Sequence, residues 1–215
     1  MNAGDYTAAI RYFNRAVELE PGYAIAYYNL GSGYAVIKDF KNAEAALKTA
    51  INLDPKYTAA FNQLGVVYTE ISAYDEAIAA FVAAIKLDPH DPKANYNLGC
   101  TYIRKSDFKK AWPYLETAQK LDGANIEIYI NLGYVYWRLK KHTLAIAAIR
   151  RAVSLDPLDS QARLMLVGLY MHVRDRDSAI AEYNAVKAIN SELAEHIYRV
   201  IYRGEIVSAL ETRDD

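Results

Sequence analysis

The chain has 215 residues, 53% apolar and 24% charged, with a formal net charge of −1. That is the composition of a folded protein with a sizeable core, and it argues against both a disordered chain and a polyanion-binding one. Apolar runs fall well short of the roughly 18 residues that a membrane span needs, so no span is expected.

The single cysteine, Cys100, rules out an internal disulfide and fits a reducing compartment. Met1, Asn2, Ala3, Gly4 and Asp5 open nothing that resembles a signal peptide, and the expected location is cytoplasmic.

In chain order, an apolar pattern of helical spacing runs first from Asp5 to Leu19, then from Ala24 to Ile37, then from Phe40 to Leu53. The last two predict a hairpin of amphipathic helices. The same hairpin returns along the chain, because Tyr34, Tyr68, Tyr102, Tyr136 and Tyr170 each follow the last by 34 residues. Gly31, Gly65, Gly99 and Gly133 keep the beat, each preceded by a leucine (Leu30, Leu64, Leu98, Leu132). Small residues recur in the second helix at Ala43, Ala77, Ala111, Ala145 and Ala179, and at Ala50, Ala84, Ala118 and Ala152.

Asp5, Asp39, Asp107 and Asp175 share one offset between the two helices, where a carboxylate caps the amides that follow. Leu53-Asp54-Pro55, Leu87-Asp88-Pro89 and Leu155-Asp156-Pro157 end second helices, since proline disfavours helical geometry in the residue before it. A glycine inside a helix costs roughly 1 kcal/mol against alanine. The repeated one therefore predicts close approach of a neighbouring helix, with the alanines as the matching small surface. A lone hairpin cannot bury both its apolar faces, so the units must stack into one solenoid.

The motif Tyr27-x-x-Leu30-Gly31-x-x-Tyr34 with Ala43, Leu47, Ala50 and Pro55 resembles the tetratricopeptide repeat family. It recurs from Phe61, Asn95 and Tyr129, and the resemblance covers nearly the whole chain. It implies an all-α, right-handed superhelical solenoid of stacked antiparallel helix hairpins, forming a single domain. Residues 1–23 would be a half repeat, 24–57, 58–91, 92–125, 126–159 and 160–193 full repeats, and 194–215 a capping helix and tail.

Departures are local. Gly123 stands where the third full repeat should close with proline, and Trp112-Pro113 lies inside its second helix, where proline removes a backbone bond. The fifth has Val167 for the glycine, with Gly168 one place late, and Ser191 for the proline. Residues 192–203 read as an amphipathic cap with Leu193, Ile197, Val200 and Ile201 inward. The first helix stands without a partner before it, so the edge at Ile10, Phe13 and Val17 is expected to be either the cut boundary of a longer array or a surface for self-association.

The resemblance implies function as well: the first helix of each repeat lines a concave groove that holds a protein or peptide partner. Groove positions are then Asn29, Gln63, Asn97 and Asn131 at one offset, the aromatic residues Tyr28, Tyr96, Tyr134 and Trp137, and the cations Lys93, Arg104 and Arg138 beside Glu70 and Glu127. A carboxamide both donates and accepts, so a row of them can pair with an extended peptide backbone whatever its side chains. This is similar to the asparagine ladder in the repeat domain of protein O-linked N-acetylglucosamine transferases. In the other reading, asparagine is simply common there and keeps the groove wet.

A carboxylate clamp of the chaperone-binding kind would need cations that Tyr28, Ser32, Lys93 and Asn97 do not supply as a set. An RNA-reading hairpin array would want a basic groove, which the charge balance does not give.

No catalytic residue, metal site or cofactor is expected. His90, His142, His172 and His196 are scattered, with His142 reading as a substituted packing residue and Cys100 as a small filler. The expectation is a non-catalytic scaffold. An assembly scaffold acting through its end faces, or the repeat domain of a larger enzyme such as a glycosyltransferase, are the alternatives.

Overall fold

The computed structural model describes residues 3–187 and 189–203, and they are helical almost throughout. Twelve α-helices follow in order: α1 Ala3–Leu19, α2 Ala24–Val36, α3 Phe40–Leu53, α4 Thr58–Glu70, α5 Tyr74–Leu87, α6 Pro92–Arg104, α7 Phe108–Leu121, α8 Ile126–Arg138, α9 His142–Leu155, α10 Ser160–His172, α11 Arg176–Val186 and α12 Ser191–Tyr198. A π-helical turn, Arg199–Arg203, closes the set. The helices form two compact units that divide between Lys105 and Ser106, so α1 to α6 belong to one and α7 to α12 to the other.

In the first unit each helix packs on its sequence neighbours, and the first helices of successive hairpins also meet, α2 on α4 and α4 on α6. The glycine offset explains the closeness of the hairpins. A Cβ on Gly31 would stand 2.6 Å from Leu47 Cγ and 3.1 Å from the Ala43 carbonyl oxygen, and one on Gly65 would stand 2.6 to 2.7 Å from the Phe81 ring. The partner of the glycine is therefore the large residue of the second helix as well as the alanine backbone. The expected alanine surface gives only part of the fit. Leu47 and Ala43 close a core with Leu64 and Val67, against which Tyr34 and Tyr68 pack.

Ile10 is buried beside Leu30 and Ala46, with Phe13 and Val17 packed on the same cluster. The three residues expected to form an open N-terminal edge are thus turned onto α2 and α3, because α1 needs that stripe to dock at all. Exposure on α1 falls instead on Tyr12 and Leu19.

In the second unit α8 is the central helix, buried continuously from Ile128 to Tyr136. Gly133 lies directly against Ile149 of α9. Val167, where other hairpins carry glycine, is fully buried. The C-terminal cap follows its expected pattern as far as residue 203, with Leu193, Ile197, Val200 and Ile201 all buried. The wider π turn lets the adjacent Val200 and Ile201 both face inward. Residues 204–215 of the expected tail lie outside the described residues. Helix α7 runs on through Pro113 to Leu121.

The stride tyrosine shapes the turn that follows it. The amides of Asp39, Ala73, Lys141 and Asp175 donate to the carbonyls of Tyr34, Tyr68, Tyr136 and Tyr170 at 2.8 to 2.9 Å. This is a Schellman closure, whose penultimate residue must adopt a left-handed conformation. That residue is never glycine here: Lys38, Ser72, Ser106, Lys140 and Arg174 have φ between 55° and 63°. Left-handed geometry costs a non-glycine residue about 1–2 kcal/mol. Lys38→Gly is therefore expected to raise stability by about 0.5–1 kcal/mol once the larger unfolded-state entropy of glycine is subtracted. A higher urea midpoint for Lys38→Gly, with a lower one for Lys38→Val, is the measured signature.

The carboxylates of Asp39, Asp107 and Asp175 accept from the amides of Asn42, Lys110 and Ser178, as capping requires. Helix α1 begins at Ala3, so Asp5 falls within its first turn, and the Asp5 side chain lies outside the described residues. The first helices α6, α8 and α10 take their caps from the preceding loop, at Asp91, Asn125 and Asp159, and α12 takes its cap from Asn190, whereas α2 and α4 begin without a side-chain cap.

A further device ties three repeats to the loops before them. Asn95 Nδ2 donates to the Pro89 carbonyl, the Tyr129 hydroxyl to Gly123 and Arg163 Nε to Pro157, each six residues back. These loops would otherwise end in unpaired carbonyls.

Candidate functional site

In the first unit the neighbouring helices α2, α4 and α6 present one polar row. Asn29, Gln63 and Asn97 are each half-buried on it. Asn97 Nδ2 donates to Asn62 Oδ1 at 3.1 Å, so the row is cross-linked by a carboxamide that the sequence reading did not include. One more pair of hydroxyls, Thr69 and Thr101, meets at 3.4 Å between the same two helices. No hydrogen bond from another described residue engages the side chains of Asn29 or Gln63. A half-buried carboxamide left without a protein partner keeps its donor and its acceptor for solvent or for a ligand.

Around this row Tyr28 is half-buried, its ring 5.1 Å from that of Tyr57 and packed on the core of the unit. Tyr96 is likewise half-buried, while Lys93, Arg104 and Glu70 are exposed. Lys105 pairs with Asp75 at 2.5 Å.

The corresponding positions of the second unit differ. Asn131 is 6% exposed and Tyr134 only 1% exposed, so neither offers a surface of the kind that Asn29 and Tyr28 do. The reason is the burial of α8 on all sides. Tyr134 instead organises a cation: Arg138 Nη1 donates to its hydroxyl at 2.7 Å, and the guanidinium lies 4.2 Å from the centre of the Phe108 ring. Such stacking on an aromatic face favours arginine over lysine. Trp137, half-buried, has its ring 6.1 Å from that of Tyr134. Glu127 is exposed.

Two of the stride tyrosines, Tyr68 and Tyr136, use both ends of the side chain, with the ring largely buried and the hydroxyl on the second helix of the hairpin before. Tyr68 donates to Glu44 at 3.0 Å and Tyr136 to Glu116 at 2.7 Å. Burial, reinforced by the Glu116 carboxylate, pushes the Tyr136 phenol up to about 12. Glu44, bonded to Lys48, is held below the usual carboxylate range. Each of these tyrosine bonds ties the first helix of a hairpin to the helix before it.

Among the described residues no three His, Cys, Asp or Glu side chains gather as a metal site would require. Two histidines do meet: the rings of His142 and His172 lie 4.8 Å apart. They are 30 residues apart in sequence, and only the packing of α9 on α10 unites a helix start with a helix end.

With the geometry in hand, comparison with known proteins is decisive for the family. Family models described as tetratricopeptide repeat match residues 1–58, 92–125 and 126–157, and one described as TPR repeat matches 67–106. The chain belongs to the tetratricopeptide repeat family. A comparison with curated proteins gives no significant match.

Among solved structures, this tetratricopeptide repeat chain is similar to YrrB, described as a TPR protein with an unusual peptide-binding site. Identity is 23% and the TM-score 0.72, over 87% of this chain and 97% of that one. It is similar also to the MamA protein, at 25% identity and TM-score 0.71, over 83% of this chain and 94% of that one. Pseudomonas aeruginosa pilF gives 17% identity and TM-score 0.76, over 98% and 89%.

The family is generally a non-catalytic protein-interaction fold, which makes an interaction scaffold the supported class of function for this tetratricopeptide repeat chain. No helix among the described residues is long and apolar enough to cross a membrane.

Proposed function

We propose that this protein binds an extended peptide segment of a protein partner along the carboxamide row of α2, α4 and α6. The observation that carries the reading is the row itself. Asn29 and Gln63 are half-buried and unpaired, and Asn97 is held in place by Asn62 at 3.1 Å. Each exposes chemistry that complements a backbone amide, so affinity comes from the main chain of the guest and tolerance from indifference to its side chains.

Tyr28 and Tyr96 add half-buried aromatic surface, the kind that anchors interfaces. Lys93 and Arg104, both exposed on α6, give that end of the row positive charge, which favours partners with acidic residues. The peptide site of YrrB, a protein of the same fold, supports the use of such a scaffold for peptides.

The test is capture of partners by the intact protein and by Gln63→Ala/Asn97→Ala. Loss of two polar pairings is expected to weaken the captured partners about 10- to 100-fold, since each buried pairing contributes about 1 kcal/mol or more. An unchanged set of captured proteins, with the variant folded as judged by its helical circular dichroism, contradicts the reading.

A further inference from the structure

The second unit holds a cavity of about 470 Å3, lined by Trp137, Arg138, Lys140, His142 and His172. Its size is that of a small-ligand site and well beyond what one water needs. Its chemistry is one-sided. The lining holds two fixed cations, two imidazoles and an indole, with no carboxylate among them.

Several features hold these groups in place. Arg138 is fixed by Tyr134 at 2.7 Å and by the Phe108 ring at 4.2 Å. Lys140 sits at the left-handed corner of its turn, φ 60°, with its amide on the Trp137 carbonyl at 2.8 Å. The two histidine rings meet at 4.8 Å, tilted by 48°, and the buried Nδ1 of His142 has no hydrogen-bond partner. At the same edge α9 begins at His142, with Lys141 before it and no side chain capping its amides, where Asp39, Asp107 and Asp175 supply a carboxylate to α3, α7 and α11. An incoming carboxylate would bring to this place the group that three other hairpins carry themselves.

From this arrangement we infer a second, separate binding site: the cavity takes the carboxylate of a glutamate or aspartate side chain from an acidic peptide, with the Trp137 indole covering the methylene stem. Lys140 and Arg138 neutralise the charge, and His142 and His172 donate hydrogen bonds. The uncapped start of α9 favours a carboxylate, the group that Asp39, Asp107 and Asp175 place at the matching position of other hairpins, and Lys140 beside it meets the charge.

The experiment titrates the full chain with the blocked peptide acetyl-Ala-Glu-Glu-Ala-amide. The imidazole signals of His142 and His172 and the indole signal of Trp137 are followed by NMR. The glutamine analogue of the peptide and inorganic phosphate serve as the other arms. Expected are saturable shifts of all three residues with the glutamate peptide alone, and about tenfold weaker binding in Lys140→Gly, where the loss of one charge-assisted bond meets a corner that glycine suits. Gln63→Ala/Asn97→Ala should bind this peptide at the cavity as the unaltered chain does, which separates the two sites. Equal binding of the glutamine peptide, tighter binding of phosphate, absence of shifts at the three residues, or full binding by Lys140→Gly would each overturn the assignment.

Discussion

Gly65→Ala is expected to lower stability by about 1–2 kcal/mol, opposite in sign to the roughly 1 kcal/mol gain the same change gives in an open helix interior. The sign turns on what the added carbon meets. It would stand 2.6 to 2.7 Å from three atoms of the Phe81 ring, and Phe81 is itself 1% exposed, so the ring has nowhere to go.

Gly31→Ala meets a harder wall, because the branch point of Leu47 and the backbone oxygen of Ala43 both stand in its way. Gly133→Ala is expected to lose stability as well, since the added carbon would stand 2.3 Å from Cδ1 and 2.5 Å from Cγ1 of Ile149, a fully buried β-branched side chain with little freedom to rotate. The midpoint of urea unfolding reads each loss directly. Gly65→Ala/Phe81→Leu should recover part of the loss, because the shorter side chain vacates the contact. A midpoint that rises in Gly65→Ala would show that the hairpins do not depend on this approach.

The second large effect belongs to Arg163. Its side chain is 9% exposed, donates to the Pro157 carbonyl at 2.7 Å and forms an ion pair with Glu182, which is 19% exposed. Arg163→Met is expected to cost about 3 kcal/mol, because it strands a largely buried carboxylate and an unpaired carbonyl together. Removing the carboxylate as well should restore most of that. The prediction is that Arg163→Met/Glu182→Leu unfolds at a higher urea concentration than Arg163→Met. If the second change adds to the loss, the stranded charge is not its cause.

These two sites show how far the sequence alone could be read. A period of 34 residues with glycine, leucine and tyrosine in register specified helix pairs, their ends and their close approach, because each of those features is local. The carboxylate caps at Asp39, Asp107 and Asp175 were legible for the same reason.

What the pattern hid was anything decided by a partner across space. The bond from Arg163 to the loop behind it shares its offset with Asn95 and Tyr129, yet three unlike side chains at one position look like variation until their common acceptor is seen. The left-handed corner at Lys38 and its four equivalents carries no glycine or asparagine to announce it.

The candidate groove divides in the same way. Asn29, Gln63 and Asn97, which share one offset, are each half-buried on α2, α4 and α6. Asn131 and Tyr134 share that rhythm but are buried, because α8 carries isoleucine, valine and tyrosine on every side and is enclosed. Periodicity identifies which face a residue lies on. How deeply that face is covered depends on the apolar residues around the whole circumference of the helix. The pairing of Asn62 with Asn97 also escaped notice, as it joins neighbouring offsets on successive repeats.

The most direct test of the peptide-binding account is NMR of the side-chain amides of Asn29, Gln63, Asn62 and Asn97 during titration with a peptide taken from a captured partner. The account predicts that these four carboxamides shift together and saturate at one affinity, with Tyr12 on exposed α1 unmoved. Shifts confined to residues off this row, with the four carboxamides silent, would contradict it.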